Sequence, residues 1–208
     1  NITFKYPGKE KEVLKNFSLE INKNEFIGII GKSGKGKSTL IDLIMGLLEP
    51  SSGEILIDGK NIKNNLKGWQ NNLGFVSQNT FLLDNDIKNN IAFGVPTSEI
   101  NDDILHESAK DAQILDFILS LSKKFQTRVG EKGVSLSSGQ IQRVGIAREL
   151  YRKPSVLIFD EATSALDLET EKEFLNCLEK LKQNKTIIFI SHRKSALKNC
   201  DKIIDLDD

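Results

Sequence analysis

One stretch of the chain limits the possible folds more than any other: an apolar run that leads into a glycine-rich loop and then a helix. Phe26–Ile30 is continuously apolar, as a strand covered on both faces should be. Gly31-Lys32-Ser33-Gly34-Lys35-Gly36-Lys37-Ser38 follows it and fits the pattern G-x-x-x-x-G-K-[ST]. A helical pattern begins at Lys37. The sequence therefore predicts a strand, a phosphate-binding loop and a helix, in this order.

The residue types of this loop suit the phosphate groups of a nucleotide. Glycines let the backbone curl so that its N–H groups point at phosphate oxygens, and the helix N-terminus adds partial positive charge. We expect Lys37 to reach the β- and γ-phosphates and the Ser38 hydroxyl to be a Mg²⁺ ligand. The other nucleotide contacts predicted here are Gly31, Ser33, Gly34, Lys35, Gly36 and Thr39. A glycine-rich structural turn is the alternative, and the loop alone indicates a phosphate site without a function.

Short β-rich runs alternate with helical patterns along the chain, which predicts an α/β fold with a mainly parallel core sheet and a more antiparallel N-terminal portion. The predicted strands are Ile2–Tyr6, Phe17–Ile21, Phe26–Ile30, Ile55–Ile57, Leu73–Val76, Val156–Asp160 and Thr186–Ile190. The predicted helices between them are Lys37–Leu47, Gln140–Arg152 and Glu169–Lys182.

The segment from about residue 82 to 136 lacks strong strand signals. Asp102–Ala112 and Gln113–Leu121 read as two short helices in it. We therefore predict one domain, with a core of roughly residues 1–81 and 153–208 and an inserted α-helical subdomain of roughly residues 82–152.

Two carboxylates end an apolar run, at Asp160 and Glu161. In open α/β sheets ligands bind at the carboxyl ends of the strands. Asp160 is placed to hold Mg²⁺ through water, and Glu161 can polarise the attacking water as a general base. A pair of N-cap residues for the following helix is the alternative, which the nearby phosphate loop disfavours.

Three further side chains lie at strand ends. His192 follows the last apolar strand and can donate a hydrogen bond to the γ-phosphate, although a lone histidine there is more often structural. Gln78 follows Leu73–Val76, and its side chain can contact Mg²⁺ or the lytic water. Tyr6 ends the first strand and offers a flat face for adenine, with core packing as the alternative.

The composition excludes some classes of function. Lys plus Arg balances Asp plus Glu at 29 each, so no global positive field attracts nucleic acid, and we expect no nucleic-acid partner. Cys177 and Cys200 match no metal-ligand spacing and suit a reducing compartment. The apolar runs are far shorter than the ~20 residues of a membrane span. The chain begins at Asn1 without Met, and we interpret it as a piece of a longer protein.

The segment Leu136-Ser137-Ser138-Gly139-Gln140 precedes a predicted helix and resembles the LSGGQ signature of ABC ATPases, with Ser138 in place of the first glycine. The phosphate loop, Gln78, the segment Asp160–Asp167 and His192 follow the family's order and spacing, so the resemblance covers nearly the whole chain. It implies the ABC ATPase fold, a P-loop NTPase core, and hydrolysis of ATP with Mg²⁺.

In the family two copies pair head-to-tail, and each ATP lies between one copy's phosphate loop and the other's signature. The resemblance therefore implies that Ser137, Gly139 and Gln140 bind the nucleotide of a second ATPase domain. Asp167 is expected to contact it as well and, with Ser164, to report across the interface. ATP binding would favour the closed dimer and hydrolysis would release it.

Two segments resemble exporters within the family, Gln78–Gly94 and Thr127–Gly133. The resemblance implies a transmembrane domain upstream of Asn1 in the same transporter, a position on the cytoplasmic face of the cell membrane, and an apolar docking surface at Phe81, Leu82 and Leu83. The run Leu66–Gly94 is most similar to half-transporters that flip lipids or lipid-linked oligosaccharides. A non-transport ABC ATPase (DNA repair, chromosome structure or translation) and a P-loop kinase or GTPase are the alternatives.

Overall fold

The computed structural model of the chain describes residues 1–163 and 166–207, and leaves out the side chains of residues 194 and 195. Its helices are α1 (Lys37–Ile44), α2 (Leu66–Asn71), α3 (Ile87–Ile91), α4 (Asp102–Asp111), α5 (Leu115–Ser120), α6 (Ser138–Tyr151) and α7 (Leu168–Leu181). Its strands are β1 (Ile2–Phe4), β2 (Leu14–Phe17), β3 (Phe26–Ile30), β4 (Leu56–Ile57), β5 (Lys60–Asn61), β6 (Leu73–Val76), β7 (Asn85–Asp86), β8 (Arg128–Val129), β9 (Val156–Asp160), β10 (Thr186–Ile190) and β11 (Lys202–Asp205).

A parallel sheet with the strand order β11-β3-β10-β9-β6 forms the centre of the fold. β1 and β2 pair antiparallel at the N-terminus, and β4–β5 and β7–β8 form two further antiparallel ladders. The predicted α/β fold, with a parallel core sheet and an antiparallel N-terminal portion, is therefore confirmed.

The central strands are continuously apolar because helices cover both faces of the sheet. Ile187 and Phe189 of β10 pack into the core that α6, α7 and the inserted helices share. Ile188 and Ile190, which point to the other face, join a second core with α1 and β1. This alternation of side chains along each strand places β3, β9 and β10 at the centre of the molecule.

Gly28 in the middle of β3 allows a loop to approach the sheet closely. A Cβ atom at this position would lie 2.9 Å from the sulfur of Cys200 and 3.0 Å from the side chain of Leu197. A larger residue would push this loop off the sheet, so glycine is required here by the packing of its neighbours.

The predicted strand Phe17–Ile21 is wrong. The ladder with β1 runs from Leu14, opposite Phe4, to Phe17, opposite Ile2. Phe17, Leu19 and Ile21 are each half-buried, so the alternation that suggested a strand is real. Beyond the end of the ladder, every second side chain of this segment packs on the core although the segment is not a strand.

Other element bounds differ from the prediction at their ends. α1 ends at Ile44, before the predicted Leu47, because Gly46 adopts a left-handed conformation with φ 70° that terminates a helix. The edge strand β11 was not predicted. Its residues are more exposed than those of the central strands, so Lys202–Asp205 carries only a weak apolar pattern. Helices α2 and α3 were missed as well, since each has only one or two turns.

The predicted helical insertion corresponds to α3, α4, α5 and α6, which lie between β6 and β9 in the chain. One hydrophobic core runs from Val76 and Phe159 of the sheet to Ile87 of α3 and Leu105 of α4. The boundaries of a separate subdomain at residues 82 and 152 therefore stay a prediction. Among the helices of the described residues, none has the length and apolarity of a membrane span.

We predict that Phe174→Ala strongly destabilises the fold. Phe174 of α7 is 1% exposed, and its ring centroid lies 5.6 Å from that of Phe159 and 6.2 Å from that of Phe189. Truncation leaves a cavity, so the free energy of unfolding should fall by about 3–5 kcal/mol in urea titrations. The control is Phe81→Ala, which removes a ring that is 70% exposed and should change stability by less than about 0.5 kcal/mol. Equal losses in both variants would contradict the described packing.

We also predict that both thiols are unreactive in the folded chain. Burial raises the pKa of Cys177 and of Cys200 to about 12. A raised pKa keeps each thiol protonated, so at pH 8 its thiolate fraction should be about a thousandfold below that of an exposed cysteine. Labelling with a thiol reagent should be correspondingly slow in buffer and fast in urea. Rapid labelling of the folded chain would show that one of these side chains is accessible.

Candidate active site

The parallel register of the central strands brings the predicted site residues to one edge of the sheet. Asp160 at the end of β9 lies beside Ile190 of β10, and Ile190 in turn lies beside Ile29 of β3. The loops that leave β3, β9 and β10 therefore emerge side by side. They carry the phosphate loop, the acidic pair and the histidine of the sequence analysis.

The phosphate loop has the curled backbone that its glycines predict. Gly34 and Gly36 adopt φ angles of 80° and 96°, in the left-handed region that disfavours side chains. A Cβ atom at Gly36 would also lie 2.9 Å from the side chain of Val13. Gly36 is the N-cap of α1 and supplies no capping side chain, so the first-turn N–H groups of α1 point towards the loop. This arrangement suits an anion.

Lys37 lies at the start of α1 and is folded back onto the phosphate loop. Its side chain is buried, and Nζ donates hydrogen bonds to the carbonyl oxygens of Gly31 (2.7 Å) and Lys32 (3.1 Å). These two carbonyls hold the ammonium inside the curve of the loop, which is where a phosphate group would bind. Ser38, the predicted Mg²⁺ ligand, is exposed next to it, and so are Ser33 and Lys35.

Tyr6 lies close to the same helix, as the prediction of an adenine contact requires. Its hydroxyl is 3.0 Å from Oγ1 of the buried Thr39, and its ring meets that of Phe4 edge-on at 5.0 Å. The ring remains partly exposed. The hydrogen bond fixes Tyr6 beside the phosphate loop, while Thr39 uses its own hydroxyl to hold Tyr6.

Asp160 ends β9 in a partly buried position. Burial raises its pKa, repulsion from Glu161 raises it further, and Lys37 opposes both effects. A cation next to this carboxylate would offset the cost of its charge. The Asp160 carboxylate and the Ser38 hydroxyl are hard oxygen donors of the kind Mg²⁺ prefers, so this pair fits that ion. Among the described residues, no group of three or more His, Cys, Asp and Glu forms an all-protein metal site.

Glu161 has a backbone conformation that re-aims its side chain. Its φ is 51°, and its N–H donates to the carbonyl of Ile190 at 3.1 Å. A residue other than glycine costs about 1–2 kcal/mol in this region of φ, and such costs are found at functional sites. The turn carries the carboxylate to His192, where Oε1 lies 2.5 Å from Nε2. The acid and the histidine therefore form a pair.

The contact between Glu161 and His192 was not predicted, although both residues were. Asp160 and Ile190 are partners in a parallel ladder, so the residues just after each strand are neighbours. This register depends on how the two strands slide against each other, which the sequence alone does not give.

The segment after His192 is tied to α7. Nη1 of Arg193 lies 2.9 Å from Oε2 of Glu171, a buried residue in the first turns of α7. Asp167, which follows the acidic pair in the chain, caps the same helix. The ion pair of Arg193 and Glu171 therefore connects the loop of His192 (the histidine loop) to the N-terminal end of α7, which the loop after Glu161 leads into. Sequence analysis missed both partners.

The signature segment forms the N-terminus of α6. Oγ of Ser137 accepts from the N–H of Gln140 (3.3 Å), and Oε1 of Gln140 accepts from the N–H of Ser137 (2.9 Å), so the two residues form a capping box. Gly139 is buried against α7, where a Cβ atom would lie 2.4 Å from Thr170. Ser138 is exposed between them.

The predicted nucleotide contacts of the signature segment and Asp167 are made to a second ATPase domain, so they stay a prediction for this single chain. Among the described residues, no hydrogen bond or ion pair joins Ser137–Gln140 to the phosphate loop. The carboxylate of Asp167 accepts from the N–H groups of Glu169 (3.1 Å) and Thr170 (3.0 Å) as the N-cap of α7. Ser164 lies outside the described residues.

Gln78 follows β6 at the same sheet edge and is exposed. The loop it belongs to rests on α6, because Oγ1 of Thr80 lies 3.4 Å from Oε1 of Gln142 and a Cβ atom at Gly145 would lie 2.6 Å from Thr80. This loop therefore connects the sheet edge to the helix that carries the signature segment.

Comparison with known proteins gives consistent matches over this fold. The model of the family described as "ABC transporter" matches residues 14–164. Two relatives named "Putative multidrug export ATP-binding/permease protein", from Staphylococcus aureus (strain NCTC 8325 / PS 47) and Bacillus subtilis (strain 168), are 43% and 41% identical over 208 residues. Both matches cover all of this chain and 36% of the relative.

A solved structure described as a bacterial Atm1-family ABC exporter with ATP bound superposes with a TM-score of 0.86 at 38% identity. The match covers 100% of this chain and 36% of that chain. The chain thus spans about a third of the length of the proteins it resembles.

We predict that Lys37→Ala abolishes tight binding of MgATP. The variant removes the ammonium that the loop holds against its own carbonyls, and with it a charge-assisted contact to phosphate. The dissociation constant measured by calorimetry should rise at least about a hundredfold. Lys32→Ala, which removes an exposed ammonium from the same loop, is the control and should bind nearly as the unaltered chain does. Unaltered affinity in Lys37→Ala would refute the assignment.

Proposed function

The chain belongs to the ABC transporter family, and on that premise we propose that it is the ATP-hydrolysing domain of an exporter. The observation that carries the proposal is that the phosphate loop, Asp160 and the pair Glu161–His192 meet at one edge of the sheet. Each of these features alone is compatible with a purely structural role. Together they supply a phosphate-binding loop, a carboxylate ligand for Mg²⁺ and a general base for the attacking water.

The residues of the site have separate tasks in the proposed reaction. The phosphate loop and Lys37 bind the triphosphate, and the ring of Tyr6 stacks on the adenine ring of ATP. Glu161 accepts a proton from a water molecule whose oxygen attacks the γ-phosphorus, and the bond between that phosphorus and the β–γ bridging oxygen breaks to release ADP. His192 holds the Glu161 carboxylate in position and donates to the γ-phosphate. Bound at Ser38, Asp160 and Gln78, Mg²⁺ would neutralise phosphate charge.

A second copy of the domain completes the site in this proposal. Ser137 and Ser138 are exposed at the N-terminus of α6, a helix end that attracts anions, and they are not bonded to the phosphate loop of their own chain in the described structure. The γ-phosphate held by one copy would therefore meet Ser137, Gly139 and Gln140 of the other. Asp167 at the head of α7 would lie in the same interface.

The relatives favour an exporter over the other members of the family. Their names describe proteins with both ATP-binding and permease parts that export drugs, and the solved structure is an exporter. We propose that this domain acts on the cytoplasmic face of the membrane, joined to a transmembrane domain. The ring of Phe81, in the loop that rests on α6, is 70% exposed and offers that domain an apolar contact.

No observation favours the non-transport ABC ATPases, and the balanced charge of the chain gives no support to a nucleic-acid partner. The cargo predicted from the run Leu66–Gly94, a lipid or lipid-linked glycan, stays a prediction. The names of the relatives point to drugs instead.

We predict that two inactive variants restore each other when they are mixed. Glu161→Gln removes the base and should lower ATP turnover at least about a hundredfold while MgATP still binds. Ser138→Asp should also be inactive, because its carboxylate faces the partner's γ-phosphate, although an acidic residue in the first turn is compatible with α6. A mixed dimer has one intact site, formed by the base of one chain and the signature segment of the other. An equimolar mixture should therefore regain about a quarter of the unaltered rate if dimers form at random.

The matched control is a mixture of Glu161→Gln with Lys37→Ala. Both changes lie on the phosphate-loop side of the site, so every mixed dimer lacks an intact site and the mixture should stay inactive. A mixture of Glu161→Gln and Ser138→Asp that also stays inactive would count against completion of the site by a second copy. Normal turnover in Glu161→Gln alone would contradict its role as the base.

A further inference from the structure

Asp207 lies against the phosphate loop although it follows Lys32 by 175 residues in sequence. β11 runs parallel to β3, with Asp205 opposite Ile30, so the chain beyond β11 emerges beside the loop that follows β3. The N–H of Leu206 donates to the carbonyl of Ile30 at 2.9 Å. One residue further on, Oδ2 of Asp207 accepts from the N–H of Lys32 at 3.1 Å. The carboxylate is thereby fixed to the first turn of the phosphate loop.

The other oxygen of this carboxylate faces Lys35. Oδ1 of Asp207 lies 3.3 Å from Nζ of Lys35. Oδ1 is buried, and it receives no well-formed hydrogen bond from the described residues, so this ammonium is the group that compensates its charge. Burial by itself raises the pKa of Asp207, but the contact with Lys35, the N–H of Lys32 and the charges of both lysines outweigh it, and the pKa is lowered.

Lys35 is a cation of the phosphate loop that the motif does not require. It stands at an unspecified position of G-x-x-x-x-G-K-[ST], between Gly34 and Gly36, whose left-handed conformations shape the loop. Lys37 is held by backbone carbonyls, whereas the half-exposed Lys35 is held by a carboxylate. Its ammonium therefore has an anionic partner within the chain itself.

We infer that Asp207 lowers the affinity of the site for MgATP by competing with the phosphates for Lys35. The inference rests on the proposed function, since it requires this loop to bind a triphosphate. Lys35 is a residue that sets affinity, and Asp207 is a positioning residue that acts through it.

Two physical effects act in the same direction. While Lys35 stays with Asp207 its charge is partly neutralised, and the phosphates gain less from it than from a free ammonium. When Lys35 turns to the phosphates, Oδ1 of Asp207 loses this ammonium and is left buried without a partner for its charge. Nucleotide binding is weakened by the carboxylate in either case.

The test is the affinity of Asp207→Asn for MgATP, measured by calorimetry. Asparagine keeps an oxygen that accepts from the N–H of Lys32 and loses the charge that holds Lys35. The dissociation constant should fall about three- to fivefold, the upper part of the range expected for a partly exposed ion pair. An unchanged or higher dissociation constant would overturn the inference.

A double-mutant cycle shows whether the effect passes through Lys35. Lys35→Ser, which leaves the bond between Asp207 and the N–H of Lys32 in place, should bind MgATP about three- to fivefold more weakly. In the Lys35→Ser background, Asp207→Asn should change affinity less than about twofold. Lys32→Ser is the control, because the ammonium of Lys32 acts on Asp207 through its charge alone and only its N–H is bonded to the carboxylate. In that background Asp207→Asn should keep most of its effect.

The outcomes separate this inference from the proposed function. If the unaltered chain fails to bind MgATP, the proposed function fails. If the unaltered chain binds and Lys35→Ser binds equally well, only the role of Lys35 fails. A full effect of Asp207→Asn in the Lys35→Ser background would contradict competition for Lys35. It would mean that the carboxylate of Asp207 simply repels the phosphates. Equal urea midpoints for the variants show that the loop stays folded. If Asp207→Asn unfolds, Asp207→Ser takes its place, because it also removes the charge and keeps an oxygen near the N–H of Lys32.

Discussion

The parallel ladder between β3, β10 and β9 is the constraint on which the rest of the structure depends. Its register aligns the carboxyl ends of three strands, and each end carries one part of the site: the phosphate loop, the histidine and the acidic pair. Because the strands are buried on both faces, the register is set by the packing of Ile187, Phe189 and their neighbours. The hydrophobic core therefore positions the residues of the candidate site as well as stabilising the fold.

The site is also connected to the two helices that lead away from it. Arg193 joins the histidine loop to α7 through Glu171, and Gly139 lets the start of α6 pack against Thr170 of the same helix. The loop of Gln78 rests on α6 through Thr80. A shift of α7 relative to the sheet would therefore move both His192 and the signature segment.

The sequence was a good guide where one residue type is required by local chemistry. Gly34, Gly36 and Lys37 were identified because the phosphate loop needs left-handed backbone and a cation at fixed spacing. The buried strands were predicted because short, continuously apolar runs are typical of strands covered on both faces. Features that depend on distant parts of the chain could not be predicted in this way. The pairing of Glu161 with His192 needs the register of two strands, and the approach of Asp207 to Lys35 needs an edge strand with a weak pattern. The segment Phe17–Ile21 shows the opposite error, since its alternation follows burial beyond the end of the ladder.

The two hydrogen bonds of Lys37 to the carbonyls of Gly31 and Lys32 have a consequence for the stiffness of the loop. They tie the start of α1 back to the end of β3, so the side chain closes a ring with the backbone of the loop to which it belongs. Such a closure reduces the number of conformations that the loop can adopt, and this loss of conformational entropy is part of the cost of folding the chain. One long side chain therefore sets the rigidity of the loop together with its glycines.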